Sequence, residues 1–430
     1  MIGRSYLIGM LIVVVLAALL AGCSNPAKQA TKPKASPPTT SVASSGQGSL
    51  LTDACSSKPK SGYVKVSLGS AVPASSCWLS DIAFVTPSLG FSLTKYYRTG
   101  GSTELARTEN GGRTWHVIDT NVPGTPDKLD FTSPTTGYAW GAEAAVTTDG
   151  GLHWTVTLDR HRGIAALVPI GSNVWVILEH SKHFQPVEVL TSNDGGMTWQ
   201  AAPSQPGVSA NKWYFLGYGY GAILSRVNLT TSYILAGSLA PASSGAARPV
   251  VAIAKTVDSG KTWSRVPDPC IATSEGNYIF GGSLVAVTPT NVWLVCPGEP
   301  AVSNQMKSVW RSNDGGTKWY EVAKAGASSS PTLSSTSSPA APPLSALGSL
   351  PFGGYVIQIA VVSPSVAWLA LMDGALVATT DGGRVWNMVN GMPHRVSQLS
   401  LVTFINATHG WALGTKLWST TNGVNWHMLS

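Results

Sequence analysis

One eight-residue phrase recurs seven times in this chain, at 108–115, 147–154, 192–199, 256–263, 312–319, 379–386 and 419–426. It reads Ser/Thr, any residue, Asp, any residue, Gly, two residues, Trp. Asp149, Asp194, Asp258, Asp314 and Asp381 hold the third place, with Asn110 and Thr421 standing there in the first and last copies. Trp115, Trp154, Trp199, Trp263, Trp319, Trp386 and Trp426 close the seven copies. The carboxylate or carboxamide accepts nearby backbone N–H groups and so shapes a turn. Gly at the fifth place allows a positive φ. Trp opens the next strand and offers a large apolar face. A phrase needed once per repeat is structural, which argues against a metal loop or catalytic carboxylates.

An apolar strand, a short turn and an aromatic precede each copy, as in IAFVTPSLGF (82–91), LDFTSPTTGY (129–138) and LVTFINATHGW (401–411). Period-two alternation and β-branched residues mark strands, and Pro, Gly, Asn and Thr mark turns. Each repeat is therefore strand a, turn, strand b, variable loop, strand c, box, strand d. Four antiparallel strands repeated seven times predict an all-β, seven-bladed β-propeller with its boxes at the c–d turns.

Residues 1–23 read as a lipoprotein signal peptide. Arg4 supplies the positive charge, an apolar run follows, and Leu20-Ala21-Gly22-Cys23 resembles a bacterial lipobox with Cys23 as the lipidated residue. The competing reading is an ordinary signal peptide with an incidental Cys. Residues 24–60, rich in Pro, Ser, Thr, Ala and Lys, read as a disordered tether. The propeller is assigned to 61–430, with a low-complexity insertion at 325–350. Residues 63–68 look like a strand d without a blade, and are expected to lie against the last blade. Of the net charge of +7, about +4 lies in the tether, which holds five Lys against one Asp. The nearly neutral remainder gives no footing for nucleic-acid binding.

Besides Cys23 there are four cysteines, Cys55, Cys77, Cys270 and Cys296. Three pairings are open to them. The local one, Cys270 with Cys296 and Cys55 with Cys77, is expected in an exported chain.

The a–b and c–d turns share one face and are short and uniform. The b–c and d–a connections vary and carry Tyr96, Tyr97, Arg98, Arg160, Arg162, Trp213, Tyr214, Tyr218, His394 and Arg395. Aromatic and cationic side chains on variable loops suit a binding face. The competing reading is solvated loops whose aromatics cover strand ends. His180 and His183 have no evident third ligand, so neither metal nor cofactor is expected.

The paired motifs resemble the BNR/Asp-box superfamily, and within it the photosystem II stability/assembly factor family. Gly410-Trp411-Ala412 and the box at 379–386 carry that likeness, which extends over about 80–430. It implies a seven-bladed propeller, often exported, that binds other proteins during assembly. Sialidases also carry Asp-boxes, but their arginine triad and early Arg-Ile-Pro-like motif are not found here; Arg248-Pro249 is the nearest echo. A xyloglucanase-type glycosidase needs two carboxylates across a cleft. Asp81, Asp130, Glu143 and Glu179 are the candidates, and nothing in the sequence pairs them. The expectation is a monomeric, membrane-tethered extracytoplasmic scaffold that binds an exported or membrane protein without catalysis. The alternatives are a cell-surface glycan-binding protein or a glycoside hydrolase.

Overall fold

The computed structural model describes residues 63–65, 71–73, 77–96, 103–159, 163–178, 185–210, 222–240, 248–272, 282–301, 304–325, 347–392 and 398–429. The signal peptide, the tether, Cys23 and Cys55 lie outside the described residues. Seven four-stranded antiparallel units form a β-propeller. Blade 1 runs Cys77–Phe84, Gly90–Tyr96, Thr103–Thr108 and His116–Val122. Blade 2 starts at Lys128–Phe131, blade 3 at Ile164–Ile170 and blade 4 at Ala222–Arg226. Blade 5 starts at Ser283–Ala286, blade 6 at Val356–Val361 and blade 7 at Leu399–Phe404. Alternating apolar residues on each strand leave two apolar faces per blade, and a blade can bury them only against its neighbours.

One hydrogen bond repeats in every blade and ties the two turns of one face together. The residue after the box Asp or Asn donates its N–H to a carbonyl of the a–b turn in the same blade. Gly111 reaches Ser88, Gly150 reaches Thr135, Gly195 reaches Ser172, and Ser259 reaches Thr230, at 2.8–3.0 Å. Gly315 to Thr290, Gly382 to Ser365 and Gly423 to Thr408 complete the set at 2.8–3.1 Å.

Each joint between blades has its own apolar cluster, sealed by the box Trp of the later blade. Trp154 packs with Phe91 and Leu105 of blade 1, and Trp386 with Trp293 and Val309 of blade 5. A second contact serves several joints. The last residue of strand a stacks on the strand-b aromatic of the preceding blade, with ring centroids 3.6 Å apart for Phe131 on Phe91 and Phe404 on Trp368.

The ring closes in the same way, by packing rather than by strand exchange. Phe84 of blade 1 stacks on Trp411 of blade 7 at 3.6 Å, and the Trp411 indole N–H donates to the Gly111 carbonyl at 2.9 Å. This corrects the expectation for 63–68. Tyr63–Lys65 pairs instead with Ala71–Pro73 in a small hairpin. The last blade already owns a strand d, Trp426–Leu429, so it has no vacant place to fill.

Blade 5 departs from four strands. Gly348–Leu350, at the end of the expected low-complexity insertion, adds a fifth strand parallel to Tyr320–Ala325. Lys307 holds the chain that follows. Its buried ammonium donates to the carbonyls of Pro351, Phe352 and Gly353 at 2.8, 3.2 and 3.0 Å.

Candidate functional site

The box turns use their polar groups on themselves. The Thr147 hydroxyl donates to Asp149 and accepts the Gly151 N–H, while Asp149 accepts the His153 N–H at 3.0 Å. Asp194, Asp258, Asp314 and Asp381 accept the corresponding N–H groups of Thr198, Thr262, Lys318 and Val385. Asn110 does the same for Thr114. The last box differs from the sequence reading. Thr420, not Ser419, is its hydroxyl residue, and Asn422, not Thr421, accepts the Asn425 N–H at 2.8 Å. This box is one residue shorter, so counting back from Trp426 misplaces it; Thr-x-Asn-Gly was the available signal.

These bonds lower Asp149, Asp194, Asp258 and Asp314. The His153 N–H foremost brings Asp149 to about 2, and the Thr262 hydroxyl foremost brings Asp258 to about 2. The Ser192 hydroxyl foremost lowers Asp194. Asp81 and Asp130 behave oppositely. Asp81 is buried and accepts the Leu129 N–H of the neighbouring blade at 2.9 Å, and its desolvation raises it. Desolvation takes Asp130 to about 6, with the Asp81 charge adding to the rise. The structure thus brings these two carboxyls into electrostatic contact, which the sequence did not reveal. Asp81 serves as a pin between blades 1 and 2. Glu143 begins a different strand, Glu143–Thr147, and Glu179 lies outside the described residues.

A pH dependence follows from these opposed shifts. A box aspartate, depressed in the fold, contributes stability in full above its ordinary pKa near 3.8, and loses it as pH falls towards 2. Asp130, and Asp268, which desolvation also raises to about 6, contribute in full below 3.8 and lose that contribution as pH rises through about 6. The melting temperature is therefore expected to peak near pH 4 and to fall on both sides. Asp130→Asn should flatten the limb between about pH 4 and 6; an unchanged limb contradicts the assignment.

Of the expected binding residues, only the backbone of Tyr96 is described, as the end of strand b in blade 1. Tyr97, Arg98, Arg160, Arg162, Trp213, Tyr214, Tyr218, His394 and Arg395 lie outside the described residues, as do His180 and His183. Cys270 and Cys296 form a disulfide with Cα atoms 5.5 Å apart. Among the described residues no group of three or more His, Cys, Asp or Glu side chains is placed to hold a metal ion.

On the box face a groove of about 610 Å³ lies between blades 3 and 4. Blade 3 supplies its a–b turn, 170–173, together with Thr191, Asn193 and Gln200. Leu229, Ser259 and Lys261 of blade 4 form the opposite wall.

With blades, boxes and groove placed, the chain can be compared with known folds. Its strands superpose on those of YCF48 bound to D1 peptide with a TM-score of 0.50 at 17% identity, covering 78% of this chain and 90% of that one. YCF48 from Cyanidioschyzon merolae gives 0.52 at 14% identity, covering 80% and 95%. The chain is a seven-bladed β-propeller similar in fold to YCF48. A PL25 ulvan lyase matches as well, with a TM-score of 0.52 at 10% identity over 81% of this chain and 92% of that one. No family profile matches the chain, and no curated protein matches it. The same propeller fold thus serves a peptide-bound protein and a polysaccharide lyase, so shape alone leaves catalysis open.

For such a propeller, the repeat that breaks the pattern is the informative one. The sequence reading missed the groove because it treated the a–b turns as uniform. The signal was a missing residue in the turn of blade 3, visible once strands are paired.

Proposed function

We infer that this propeller is a binding scaffold for another exported or membrane protein, held outside the cytoplasm by a lipid on Cys23 and acting as a monomer without catalysis of its own. The observation that carries this reading is the division of labour between the two ends of each blade. On one face, boxes and a–b turns are locked to each other in all seven blades. The connections on the other face follow no common length. The b–c link is two residues in blade 2 (141–142) and nine in blade 3, and the d–a link runs from 160–163 to 326–355. A rigid ring with variable loops at one end is how a scaffold presents recognition residues. Trp213 and Tyr214 are the proposed anchors, with Arg98 and Arg162 at the rim. The D1 peptide bound to YCF48 supports a polypeptide partner over a glycan.

The test is affinity capture from detergent-solubilised membranes with wild type and a Trp213→Ala/Tyr214→Ala double variant of equal melting temperature. Wild type should retain a discrete partner that the variant loses. An identical partner profile removes this loop from the site. Release of sugar from a β-glucan or sialoside by the purified protein, abolished by a change at one carboxylate outside the boxes, would replace the scaffold with an enzyme.

A further inference from the structure

Three departures from the repeat fall on the joint between blades 3 and 4. The first is the a–b turn of blade 3. In six blades the strand-b aromatic faces a residue eight positions earlier, as with Ala83 and Phe91 or Val285 and Trp293. In blade 3, Val168 faces Trp175, seven positions later. The six longer turns each begin with a Ser, Thr or Asn that accepts a backbone N–H of its own turn, among them Thr86, Asn228 and Ser363. Blade 3 has instead the two-residue turn Gly171-Ser172. The wall at this point is one residue lower.

The second departure is Ser259, which stands where Gly follows the Asp or Asn in the six other boxes. It keeps the left-handed conformation at φ 63°, strained for a residue with a Cβ, while its hydroxyl donates to the Leu229 carbonyl at 3.0 Å. The third is Arg226. It occupies the position that holds Phe84, Phe131 and Phe404 in blades 1, 2 and 7. Its guanidinium lies 4.7 Å over Trp175 and donates to the Val168 and Asn173 carbonyls at 2.9 Å, bracing the short turn from below. Short turn and strained Ser both line the groove, and Arg226 supports its wall. A repeat that diverges three times at one joint, with strain retained there, marks a functional position.

The chemistry of the groove selects its occupant. Asn173 donates to the Asn193 carbonyl oxygen at 2.6 Å, which aims the Asn193 NH₂ away from Asn173. That NH₂ and the side chain of Gln200 have no hydrogen-bond partner among the described residues. Carboxamides of this kind pair with main-chain amides, and this blade does so already: Gln205 accepts the Val189 N–H at 2.8 Å and donates to the Val189 carbonyl at 3.2 Å. The exposed side chains of Leu229 and Pro203 add apolar contact. Lys261 is the one charged lining residue among twelve, so the lining is almost wholly uncharged. Trp175, the one lining aromatic, is 1% exposed, so no ring is offered for a sugar to stack on.

We propose that the groove between blades 3 and 4 is a docking site for an extended, uncharged polypeptide segment, gripped through its main-chain amides by Asn193 and Gln200. The proposal rests on the reading of the chain as a protein-binding scaffold, and adds a second contact surface on the box face. The volume of about 610 Å³ is that of an ordinary ligand cleft, room for a few residues of the segment.

The test uses the full chain on an array of acetylated, amidated octapeptides of uncharged, acidic and basic composition. Wild type should retain a subset of uncharged peptides. Asn193→Leu/Gln200→Leu should weaken their Kd at least tenfold at an unchanged melting temperature. Ser172→Phe, which adds bulk to the groove wall and keeps both carboxamides, should do the same. Trp213→Ala/Tyr214→Ala should leave array binding intact, so an unchanged membrane-partner profile in that variant, with array binding retained, counts against the loop-face site alone. Binding confined to charged peptides, binding insensitive to both groove variants, or groove-dependent binding of cellohexaose instead of peptide overturns the proposal.

Discussion

Trp411→Ala is expected to destabilise the protein by about 3–5 kcal/mol, the usual range for deleting a buried Trp. Three losses coincide at this residue. Its side chain is 2% exposed and packs with Leu79, Ile82 and Trp115 of blade 1. Its ring stacks on Phe84. Its indole N–H satisfies the Gly111 carbonyl, 300 residues away in the chain. The position matters as much as the contacts, since this joint is the one that closes the ring and no covalent link between consecutive blades supports it. Trp411→Phe separates the effects. It keeps most of the apolar volume and removes the donor, so it should cost about 1 kcal/mol. Urea unfolding of the two variants measures both. Equal and small losses would mean that another contact closes the ring.

Lys307→Ala is expected to cost about 2–3 kcal/mol, the upper range for losing a buried charge-assisted hydrogen-bond donor. The ammonium is the shared donor for three consecutive carbonyls, 351–353. Burial lowers it to about 8, which leaves it charged at neutral pH, and the carbonyl dipoles are its immediate compensation. Its neighbour Gln305 reinforces the same strap by accepting the Val356 N–H at 2.8 Å and donating to the Gly298 carbonyl at 3.0 Å. Without the ammonium, three carbonyls lose a partner where water is scarce. Amide hydrogen exchange should then rise first over 347–356, including the parallel strand Gly348–Leu350, before the rest of blade 5. Uniform acceleration across all blades would show that Lys307 supports the ring as a whole and not this segment.

Both residues were visible in the sequence, and neither was visible in its role. Trp411 stood out as the aromatic after a turn, and Lys307 stood out in no way. Such a pattern reports which face of a strand is apolar, not which neighbour covers it. The difference runs through the molecule. The interactions legible beforehand are those whose partners lie within one repeat's length of each other in the chain. A box closes over four residues from Thr147 to Gly151, and Cys270 reaches Cys296 across 26. Strand type, blade number and box chemistry all follow from such short-range constraints, because a turn needs its Asp and Gly at set offsets whatever surrounds it.

What the amino-acid sequence by itself determined is therefore the repeat: seven four-stranded blades with a self-sufficient turn in each. Tertiary structure alone decided how the blades meet. Asp81 finds the Leu129 N–H 48 residues on, Arg226 takes a stacking position held elsewhere by Phe, and the last blade closes on Phe84 without borrowing a strand. A strand pattern is silent on these choices, since an aromatic, an arginine or a hydroxyl can each complete a joint. The outcome depends on which groups remain unsatisfied once two faces are pressed together. The groove between blades 3 and 4 belongs to the same class: one residue fewer in a turn has no visible consequence until the neighbouring blade stands beside it.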